Sequence, residues 1–418
     1  MNDPTGSVAD GSDRKLSIVI VVGRFPPHHK RGVDVLCRDV ALSLSKRGHR
    51  VTVLTSRRGA RGVSDDHGVR VVRALPEVDA GFGGVSGFLG AAARARTSCR
   101  LLRRELSLAS ADVLYFWHQD GLSGALLGVE PSSAAIVTDV SDEGLLALAR
   151  DGGNWFGPLL KLWKTTAGGL LCGLVTSLFR LPKRPPSLPP GSAYFTSRTL
   201  WKKVLSAGLS VQNADLVTLG VDLRWFKFAP ERPDDAGVRI LFLGSVAREG
   251  GLHTAVLALR DVPANAVLRV AGPVKDKEYL AEVAELGRAG EVMQRIEFSA
   301  PVSRTELPAL LRSAHVLVVG DSESEAFPRT LLQAFAVGTP VVGTAIGPSA
   351  DALIEGKTGL VFDVGNSHAL ARQLSRILQE PELREEITRT ARKLVERRYA
   401  IGYTTTQIER VLQRAAAR

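Results

Sequence analysis

The sequence predicts an α/β protein with two doubly wound domains that face a cleft. Apolar runs typical of buried parallel strands open both halves of the chain, at Leu16–Val22 and Val238–Gly244. Each run is followed by helical patterning and then by another apolar run, which is the order of a βαβ unit. A chain of 418 residues also fits two domains of roughly 200 residues each better than a single core.

The first half begins with a complete βαβ unit. The strand Leu16–Val22 leads into the loop Gly23–Gly32. A helix then starts at Val33, carries apolar residues at helical spacing and ends at Gly48, ahead of the strand Val51–Thr55. Further strands are predicted at Val69–Leu75, Val113–Trp117 and Ala134–Val140.

The second half follows a linker at Pro230–Asp235, whose sequence Pro-Glu-Arg-Pro-Asp-Asp favours turns. It starts with the strand Val238–Gly244, and a terminal helix is predicted from Tyr403 onward. The strands between are predicted at Ala266–Gly272, Arg295–Val302, Ala314–Val319, Pro340–Gly343 and Gly359–Phe362. We therefore expect a disordered tail at 1–14, domains at 15–230 and 231–400, and a final helix at 401–418.

The excess positive charge lies in the first half. The formal net charge is +11, and residues 1–230 hold 30 of the 54 Lys and Arg residues but only 19 of the 43 Asp and Glu residues. Such an excess attracts anionic lipid, nucleic acid or a phosphorylated substrate. No aromatic–basic pattern accompanies it, so we expect no nucleic-acid partner.

The cysteines and residues 1–14 indicate in which cellular compartment the protein is expected. Cys37, Cys99 and Cys172 are far apart in the sequence, which favours neither a disulfide framework nor a zinc site. Residues 1–14 are polar and acidic and lack the pattern of a secretory signal. We therefore expect a cytoplasmic protein.

Two basic segments, Gly87–Leu108 and Leu159–Arg184, leave two interpretations open. Each could be an amphipathic helix lying on the inner face of an anionic membrane. Each could equally be a helix whose apolar side packs in the core. The apolar middle of the second segment, Gly168–Phe179, has about 12 residues and is too short to span a bilayer.

The stretch Asp321–Phe362 is the strongest candidate for a ligand site. The apolar run His315–Gly320 precedes it, so the loop Asp321–Ala326 leaves the carboxyl end of a strand, where open α/β sheets bind ligands. Pro328 and Gly338 are the start and stop signals of the helix that follows.

Three polar side chains converge at the start of that helix. Glu325 precedes it, and Arg329 and Gln333 are four residues apart, so they lie on one helix face. Together with the exposed amides of a helix N-terminus, they suit a phosphorylated polyol. The alternative is a βα unit with a solvated charged loop.

The same stretch resembles the donor-binding region of family 4 glycosyltransferases of the GT-B fold. That family's motif reads Glu, a small residue, Phe-Gly or Phe-Pro, and then Glu-Ala-Met-Ala-x-Gly-x-Pro-Val-Val. The matching runs here are Glu325-Ala326-Phe327-Pro328 and Gln333-Ala334-Phe335-Ala336-Val337-Gly338-Thr339-Pro340-Val341-Val342. The resemblance implies a catalytic role for Glu325 and donor contacts from Phe327, Pro328, Arg329 and Gln333.

Further matches extend the resemblance from Leu16 to Tyr399. Phe25-Pro26-Pro27 and Arg47-Gly48-His49-Arg50-Val51 are similar to the family's opening unit, in which a glycine pair lets backbone amides approach the donor phosphate or the acceptor. That pair is Arg31-Gly32 here. Gly220-Val221-Asp222-Leu223-Arg224-Trp225-Phe226 resembles the crossing between the domains. The implied fold is GT-B, with acceptor binding in 15–230, donor binding in 231–400 and the final helix crossing back.

The family's phosphate-binding cations are absent from their usual positions. The family pattern Gly-Arg-x-x-x-x-Lys-Gly stands here as Gly244-Ser245-Val246-Ala247-Arg248-Glu249-Gly250-Gly251, with Ser245 and Gly250 in place of the two cations. We hypothesise that Arg248 and Arg329 replace them. The alternative is that Arg248 pairs with Glu249 in a surface turn.

The acceptor side offers four candidates. Asp139, Asp142 and Glu143 follow the strand Ala134–Val140 and resemble the acidic strand end of one subgroup, where they would bind acceptor hydroxyls or act as base. His118, after the strand Val113–Trp117, is a candidate at the cleft edge. The alternative for Asp142 and Glu143 is a helix cap.

The resemblance implies a retaining glycosyltransferase. It would move a sugar from a UDP- or GDP-linked donor to a polysaccharide, lipid-linked or natural-product acceptor, in the cytoplasm and in part at the membrane surface. No cofactor is expected, and no Asp-x-Asp motif points to a metal. The alternative is a GT-B-like accessory subunit with a degenerate donor site. An oxidoreductase is disfavoured, because no Gly-x-Gly-x-x-Gly follows the first strand.

Overall fold

The described residues fold as two compact units. The computed structural model describes residues 14–27, 32–58, 61–77, 84–118, 121–141, 177, 191–207, 213–231, 237–320 and 329–418. The first unit takes its described residues from Met1–Val217 and Thr405–Arg418, and the second from Thr218–Thr404. The predicted tail, apart from Arg14, and the segment Leu159–Arg184, apart from Ser177, lie outside the described residues.

The first unit contains an eight-stranded sheet. Its strands are β1 (Ser17–Val22), β2 (Arg50–Ser56), β3 (Gly62–Asp66), β4 (Val69–Leu75), β5 (Val113–Phe116), β6 (Ala135–Val140), β7 (Ser192–Phe195) and β8 (Asn213–Leu216). Their order in space is β3-β4-β2-β1-β5-β6-β7-β8, and only β3 and β4 pair antiparallel. The order reverses between β1 and β5, so the loops after these strands flank the switch point where such sheets bind ligands.

The helices described between these strands are α1 (Gly32–Lys46), α2 (Gly84–Ala109) and α3 (Arg198–Ser206). The apolar face of α2 packs in the core of the first unit through Ala91, Ala95, Cys99 and Leu102. Its arginines at 96, 100, 103 and 104 are exposed. The described side chains of α2 therefore match the core interpretation of this segment, and its apolar face is not available to a membrane.

The second unit contains a six-stranded parallel sheet. Its strands are β9 (Val238–Leu243), β10 (Ala266–Ala271), β11 (Ile296–Ser299), β12 (Val316–Val319), β13 (Val341–Gly343) and β14 (Leu360–Val361). The order in space is β11-β10-β9-β12-β13-β14. It reverses between β9 and β12, which places the switch point of this sheet at the ends of those two strands.

Seven further helices are described from residue 252 onward. They are α4 (Leu252–Ala258), α5 (Lys277–Ala289), α6 (Leu307–Ser313), α7 (Arg329–Val337), α8 (Ser367–Gln379), α9 (Pro381–Arg398) and α10 (Ile401–Ala416). Side-chain caps fix two of the starts: Asp276 accepts from the Tyr279 amide at 2.9 Å and Asn366 from the Ala369 amide at 2.9 Å. No helix in the described part of the chain is long and apolar enough to cross a membrane.

The first unit ends at Val217 and the second begins at Thr218, earlier in the chain than the boundary that the sequence predicts at residue 230. The Val221 amide donates to the Tyr399 carbonyl at 2.8 Å, and the Ile401 amide donates to the Val221 carbonyl at 2.9 Å. A Cβ on Gly220 would lie 2.4 Å from the Tyr399 carbonyl oxygen, so only glycine fits there. Phe226 is buried in a core of the second unit. The run 220–226 therefore packs with the second unit.

Three strands, β3, β7 and β8, were not predicted from the sequence. β3, Gly-Val-Ser-Asp-Asp, is mostly exposed, and β8, Asn-Ala-Asp-Leu, lies at the sheet edge. Neither has the apolar run or the clear alternation that signals a strand. β11 is also shorter than the predicted strand Arg295–Val302.

A buried histidine connects α10 to the first unit. His49 accepts the Leu16 amide hydrogen at Nδ1, over 3.0 Å, so its proton is on Nε2 and is donated to Glu409, 2.7 Å away. Arg47 donates to the other oxygen of Glu409 at 2.5 Å. Burial alone would raise the pKa of Glu409, but these two hydrogen bonds outweigh it and hold the pKa below its usual range.

Replacing Glu409 by Gln should lower the free energy of unfolding at neutral pH by about 2 kcal/mol, because two bonds to a charged acceptor are weakened. Since the folded pKa of Glu409 is lowered, its contribution is full above the unfolded value of about 4.5 and is lost as pH falls through the folded pKa. Thermal unfolding between pH 7 and pH 3 should therefore show the wild type and Glu409→Gln converging in acid.

Glu385→Gln is the matched control, since Glu385 pairs with Arg389 one helical turn away and is mostly exposed. It should change stability by less than about 0.5 kcal/mol. Equal melting temperatures for the wild type and Glu409→Gln at pH 7 would contradict the anchoring role of Glu409.

Candidate functional site

The switch point of the second sheet is built by backbone packed against backbone. β9 is followed by the loop 244–251, and β12 ends at Val319, directly before Gly320. A Cβ on Gly320 would lie 2.1 Å from the Gly250 carbonyl oxygen, and one on Gly272 would lie 1.9 Å from that of Gly244. Only glycine fits at either position, so the loop after β9 lies directly on the sheet edge.

Neighbouring strands hold this edge in place. The Val246 amide donates to the Pro273 carbonyl at 2.9 Å, which extends the pairing of β9 and β10 into the loop. Thr344, after β13, donates its hydroxyl to the Gly320 carbonyl at 3.1 Å. Gly244 itself has open space where a Cβ would be. The predicted residues Gly244 and Ser245 therefore lie at the carboxyl edge of the central strands.

Helix α7, the next element after β12, carries Arg329 and Gln333, two of the residues that the sequence predicts for the donor site. Arg329 is its first residue and is half-buried. Gln333 is 8% exposed, and its amide makes no hydrogen bond with any residue that the structure describes. A buried amide in that state is suited to receive hydrogen bonds from a ligand.

Arg248 has partners that the sequence did not predict. Its guanidinium forms an ion pair with Glu282 of α5, not with Glu249, and lies 5.3 Å from the centre of the Tyr279 ring. The hydrogen bond to Glu282 raises the pKa of Arg248. The side chain remains mostly exposed to solvent. The alternative interpretation of Arg248 as part of a surface ion pair is thus confirmed, but its partner is Glu282 and not Glu249.

Pro348 lies in the turn after β13 and offers no backbone N–H there. A short 3-10 helix covers Gly347–Asp351, in which Ser349 donates its hydroxyl to the Ile346 carbonyl at 2.6 Å. Pro348 and Ser349 are buried. Burial, assisted by the charge of Asp351, raises the pKa of Tyr399 to about 12.

Five predicted site residues lie outside the described residues: Glu325, Phe327 and Pro328 ahead of α7, and Asp142 and Glu143 after β6. Arg31 also lies outside them, and Gly32 is the first residue of α1. Their roles stay predictions.

The first sheet brings two predicted groups to its own switch point. The Gly23 amide, directly after β1, donates to the His118 carbonyl over 2.8 Å, so the loops after β1 and β5 meet. The described start of the predicted loop, residues 23–27, and His118 therefore lie at the position where such a sheet binds ligands.

Asp139 lies at the same edge but faces the interior. It is 2% exposed, and its Oδ2 accepts from the Ser141 hydroxyl at 2.8 Å. Tyr194, which pairs with Asp139 in the β6–β7 register, shares a hydrogen bond between the two hydroxyl groups with Tyr115 of β5. This burial favours a positioning role for Asp139.

Burial and the nearby charge of Asp139 hold three further groups in their protonated form. They raise the pKa values of Tyr115 and Tyr194, and burial raises that of the Cys37 thiol together with the charges of Asp34 and Asp139. Sequence reasoning missed these three residues. The signal for the tyrosines was available, since β5 and β7 both end in Tyr-Phe.

Metal ligands do not cluster in the described parts of the chain, where no group of three or more His, Cys, Asp or Glu side chains is suitably arranged. Cys37 and Cys99 are buried free thiols.

Comparison with protein families identifies the second unit. The family model of glycosyl transferases group 1 matches residues 224–394, which include the loop after β9 and helix α7. This stretch is a glycosyl transferases group 1 domain. The chain also resembles curated proteins, among them the glycogen synthase of Mycobacterium tuberculosis, 30% identical over 189 residues. The D-inositol 3-phosphate glycosyltransferase of Pseudarthrobacter chlorophenolicus is 30% identical over 209 residues.

These matches cover part of each protein. They span 44% of this chain and 45% of the glycogen synthase, and 47% of this chain and 49% of the inositol-phosphate enzyme. The chain thus spans about half the length of these relatives.

Solved structures support the fold across the whole chain. Sucrose-phosphate synthase from Thermosynechococcus elongatus aligns with a TM-score of 0.69 at 15% identity, covering 96% of this chain and 99% of that one. Anabaena HepE in complex with UDP-glucose aligns with a TM-score of 0.63 at 14% identity, covering 95% and 99%. The α/β fold of GT-B type, to which the group 1 domain contributes its sheet, is confirmed.

Gly320→Ala should destabilise the group 1 domain by about 1–3 kcal/mol, because the added methyl group cannot fit beside the Gly250 carbonyl without backbone movement. Gly402→Ala is the control, since a Cβ there meets nothing within 4 Å and the residue is helical. Thermal unfolding followed by circular dichroism compares the two. A Gly320→Ala variant as stable as Gly402→Ala would contradict the tight packing of this edge.

Proposed function

We propose that the protein is a retaining, family 4 glycosyltransferase that moves a sugar from a UDP- or GDP-linked donor to a polysaccharide, lipid-linked or natural-product acceptor. The observation that carries the proposal is the switch point of the group 1 domain. There the backbone loop 244–251 and the first turn of α7 lie at the ends of neighbouring strands of one sheet.

The carboxyl edge of the second sheet suits a donor diphosphate for two reasons. The glycine contacts at Gly272 and Gly320 leave no side chain between the loop backbone and the strand ends, and Gly244 has open space beside it. The first amides of α7 have no partner within the helix and carry its positive dipole end. A phosphate there would receive backbone hydrogen bonds without displacing a side chain.

Gln333 is proposed to bind the nucleotide ribose. Its amide oxygen can accept from the ribose hydroxyls as the family's glutamate does, without adding a buried charge. Glu325 is proposed to contact the transferred sugar, as the motif implies.

Departure of the nucleotide diphosphate needs positive charge, because negative charge grows on the leaving oxygen. Ser245 and Gly250 supply none. Arg329, at the first turn of α7, is our candidate for that charge. Arg248 would first have to leave Glu282 and Tyr279.

Acceptor binding is proposed at the edge of the first sheet, near His118 and Gly32, with Asp142 or Glu143 as the acidic partner. The buried hydrogen bond between Tyr115 and Tyr194 joins β5 and β7 on either side of the strand that carries Asp139. The basic excess of residues 1–230 supports an anionic acceptor or an anionic membrane surface in a cytoplasmic setting.

A GT-B-like accessory subunit is the second candidate. The ion pair of Arg248 with Glu282 favours it, because it removes one of the two replacement cations. Hydrolysis of, or transfer from, any nucleotide sugar by the purified protein would exclude this candidate. Glu325→Gln serves as the inactive control in that assay.

Millimolar UDP or GDP should raise the melting temperature, since a ligand at about a hundredfold excess over its dissociation constant stabilises by about 2.7 kcal/mol. Gln333→Leu should weaken nucleotide binding about fivefold through the lost hydrogen bond, whereas Gln333→Glu should retain it. Differential scanning fluorimetry gives both readouts. No thermal shift in the wild type, or an unchanged shift in Gln333→Leu, would count against the donor site.

Arg329→Gln should lower kcat about a hundredfold with little change in donor KM, because a charge aimed at the leaving group acts mainly in the transition state. Arg248→Gln should change kcat by less than about twofold, since an exposed ion pair contributes little. Steady-state assays with the best donor from the nucleotide screen test this. A larger loss in Arg248→Gln than in Arg329→Gln would reverse the assignment.

A further inference from the structure

A cavity of about 590 Å³ opens in the first unit between the turn after β1 and the β3–β4 hairpin. Pro26 and Pro27 line one side, and residues 61–66 of the hairpin line the other. Three arginines also line it: Arg38 of α1, Arg61 at the start of the hairpin and Arg73 of β4. This cavity, which we call the hairpin cavity, borders the predicted Gly23–Gly32 loop through Pro26 and Pro27, but none of its arginines was assigned above to either substrate.

Arg73 is a buried cation bonded to neutral groups. The residue is 8% exposed. Its guanidinium donates to the Ser64 hydroxyl at 2.9 Å and to the Pro26 carbonyl at 2.6 Å. Among the described residues, no carboxylate lies within ion-pairing distance of it. Burying a charge without an opposite partner is costly, so an unpaired buried guanidinium beside a cavity indicates a site for an anion.

Two carboxylates, Asp65 and Asp66, also line the cavity, and Asp66, whose charge acts on Arg73, is paired with Arg38. Asp66 accepts from Arg38 at 2.6 and 2.8 Å through both of its oxygens. This pairing raises the pKa of Arg38 and lowers that of Asp66. Burial instead lowers the pKa of Arg73, and the more distant charge of Asp66 only opposes this. The two arginines thus differ: Arg38 is neutralised within the fold, whereas Arg73 is not.

Strand register puts the hairpin cavity at the ligand-binding edge of the sheet. Arg73 pairs with Thr55, and Thr55 pairs with Val22, the last residue of β1. Arg73 therefore lies level with the carboxyl ends of β1 and β2, the edge at which open parallel sheets bind ligands. Gly62, opposite Arg73 on β3, and the exposed Arg61 extend the cavity toward solvent.

We propose that the hairpin cavity binds an oxyanion, a phosphate or carboxylate group, between Arg73 and Arg61. Resting on the proposed transferase function, we assign that group to the acceptor, which makes the acceptor an anionic molecule. Arg73 would bind the oxyanion through those guanidinium N–H groups that do not already donate to Ser64 or Pro26. Arg61 would cover the oxyanion from the solvent side.

Calorimetric titration of the full chain tests the site without any transfer reaction. Inorganic phosphate and acetate are the probes, and they distinguish phosphate from carboxylate preference. Phosphate should bind in the millimolar range, and Arg73→Gln and Arg61→Gln should each weaken it, by about tenfold for the buried residue. Arg58→Gln is the matched control, because Arg58 is exposed, pairs with Glu77 and does not line the cavity. It should leave phosphate affinity within about twofold.

The possible results separate three cases. No phosphate or acetate binding by the wild type, or equal weakening by Arg58→Gln and Arg61→Gln, overturns the site. A stable Arg73→Gln variant with unchanged phosphate affinity also overturns it and leaves Arg73 a structural link. If Arg73→Gln does not fold, Arg61→Gln decides, since its side chain is exposed.

Transfer assays then test the assignment to the acceptor. Added phosphate should raise the KM for the acceptor and leave the KM for the nucleotide sugar unchanged. Competition with the donor alone would overturn the acceptor assignment while the site stands. Phosphate binding by a protein without any transferase activity would overturn the proposed function and, with it, the acceptor assignment.

Discussion

At the carboxyl edge of the second sheet, one stretch of backbone lies directly against another, and the proposed donor site depends on that contact. Gly320, directly after β12, lies against the carbonyl of Gly250, and Gly272, directly after β10, lies against that of Gly244. The loop after β9 therefore packs on the strand ends with no side chain in between. The first turn of α7 follows the neighbouring strand β12, so both parts of the proposed site are carried by the same sheet.

The cations of the two units are used in different ways. In the group 1 domain, the places where the family carries an Arg and a Lys hold Ser245 and Gly250, and Arg248 is bonded to a neighbouring helix. In the first unit, an arginine is buried without a carboxylate partner at the sheet edge. The protein thus has less fixed charge where a diphosphate is proposed to leave, and more where the other substrate is proposed to bind.

Sequence patterning predicted most of the strands because buried parallel strands are continuous apolar runs, as in β1, β9 and β12. It missed β3 and β8, which are polar strands whose pairing depends on their neighbours. Local motifs placed Gly244, Gln333 and His118 at strand ends or on the helix that follows.

Long-range partners could not be predicted in the same way. Arg248 bonds Glu282, 34 positions away, and Tyr115 bonds Tyr194, 79 positions away. Nothing in the spacing of either pair signals a contact, because both arise from the way helices and strands pack. The burial of Arg73 likewise follows from the β3–β4 hairpin, which the sequence did not reveal.

The path of the chain through the two units has a consequence for its synthesis. The second unit is continuous, from Thr218 to Thr404, whereas the first is completed by Thr405–Arg418. A ribosome therefore synthesises every residue of the second unit before it reaches Glu409. The bonds from His49 and Arg47 to Glu409 are thus among the last contacts of the first unit that the growing chain can form.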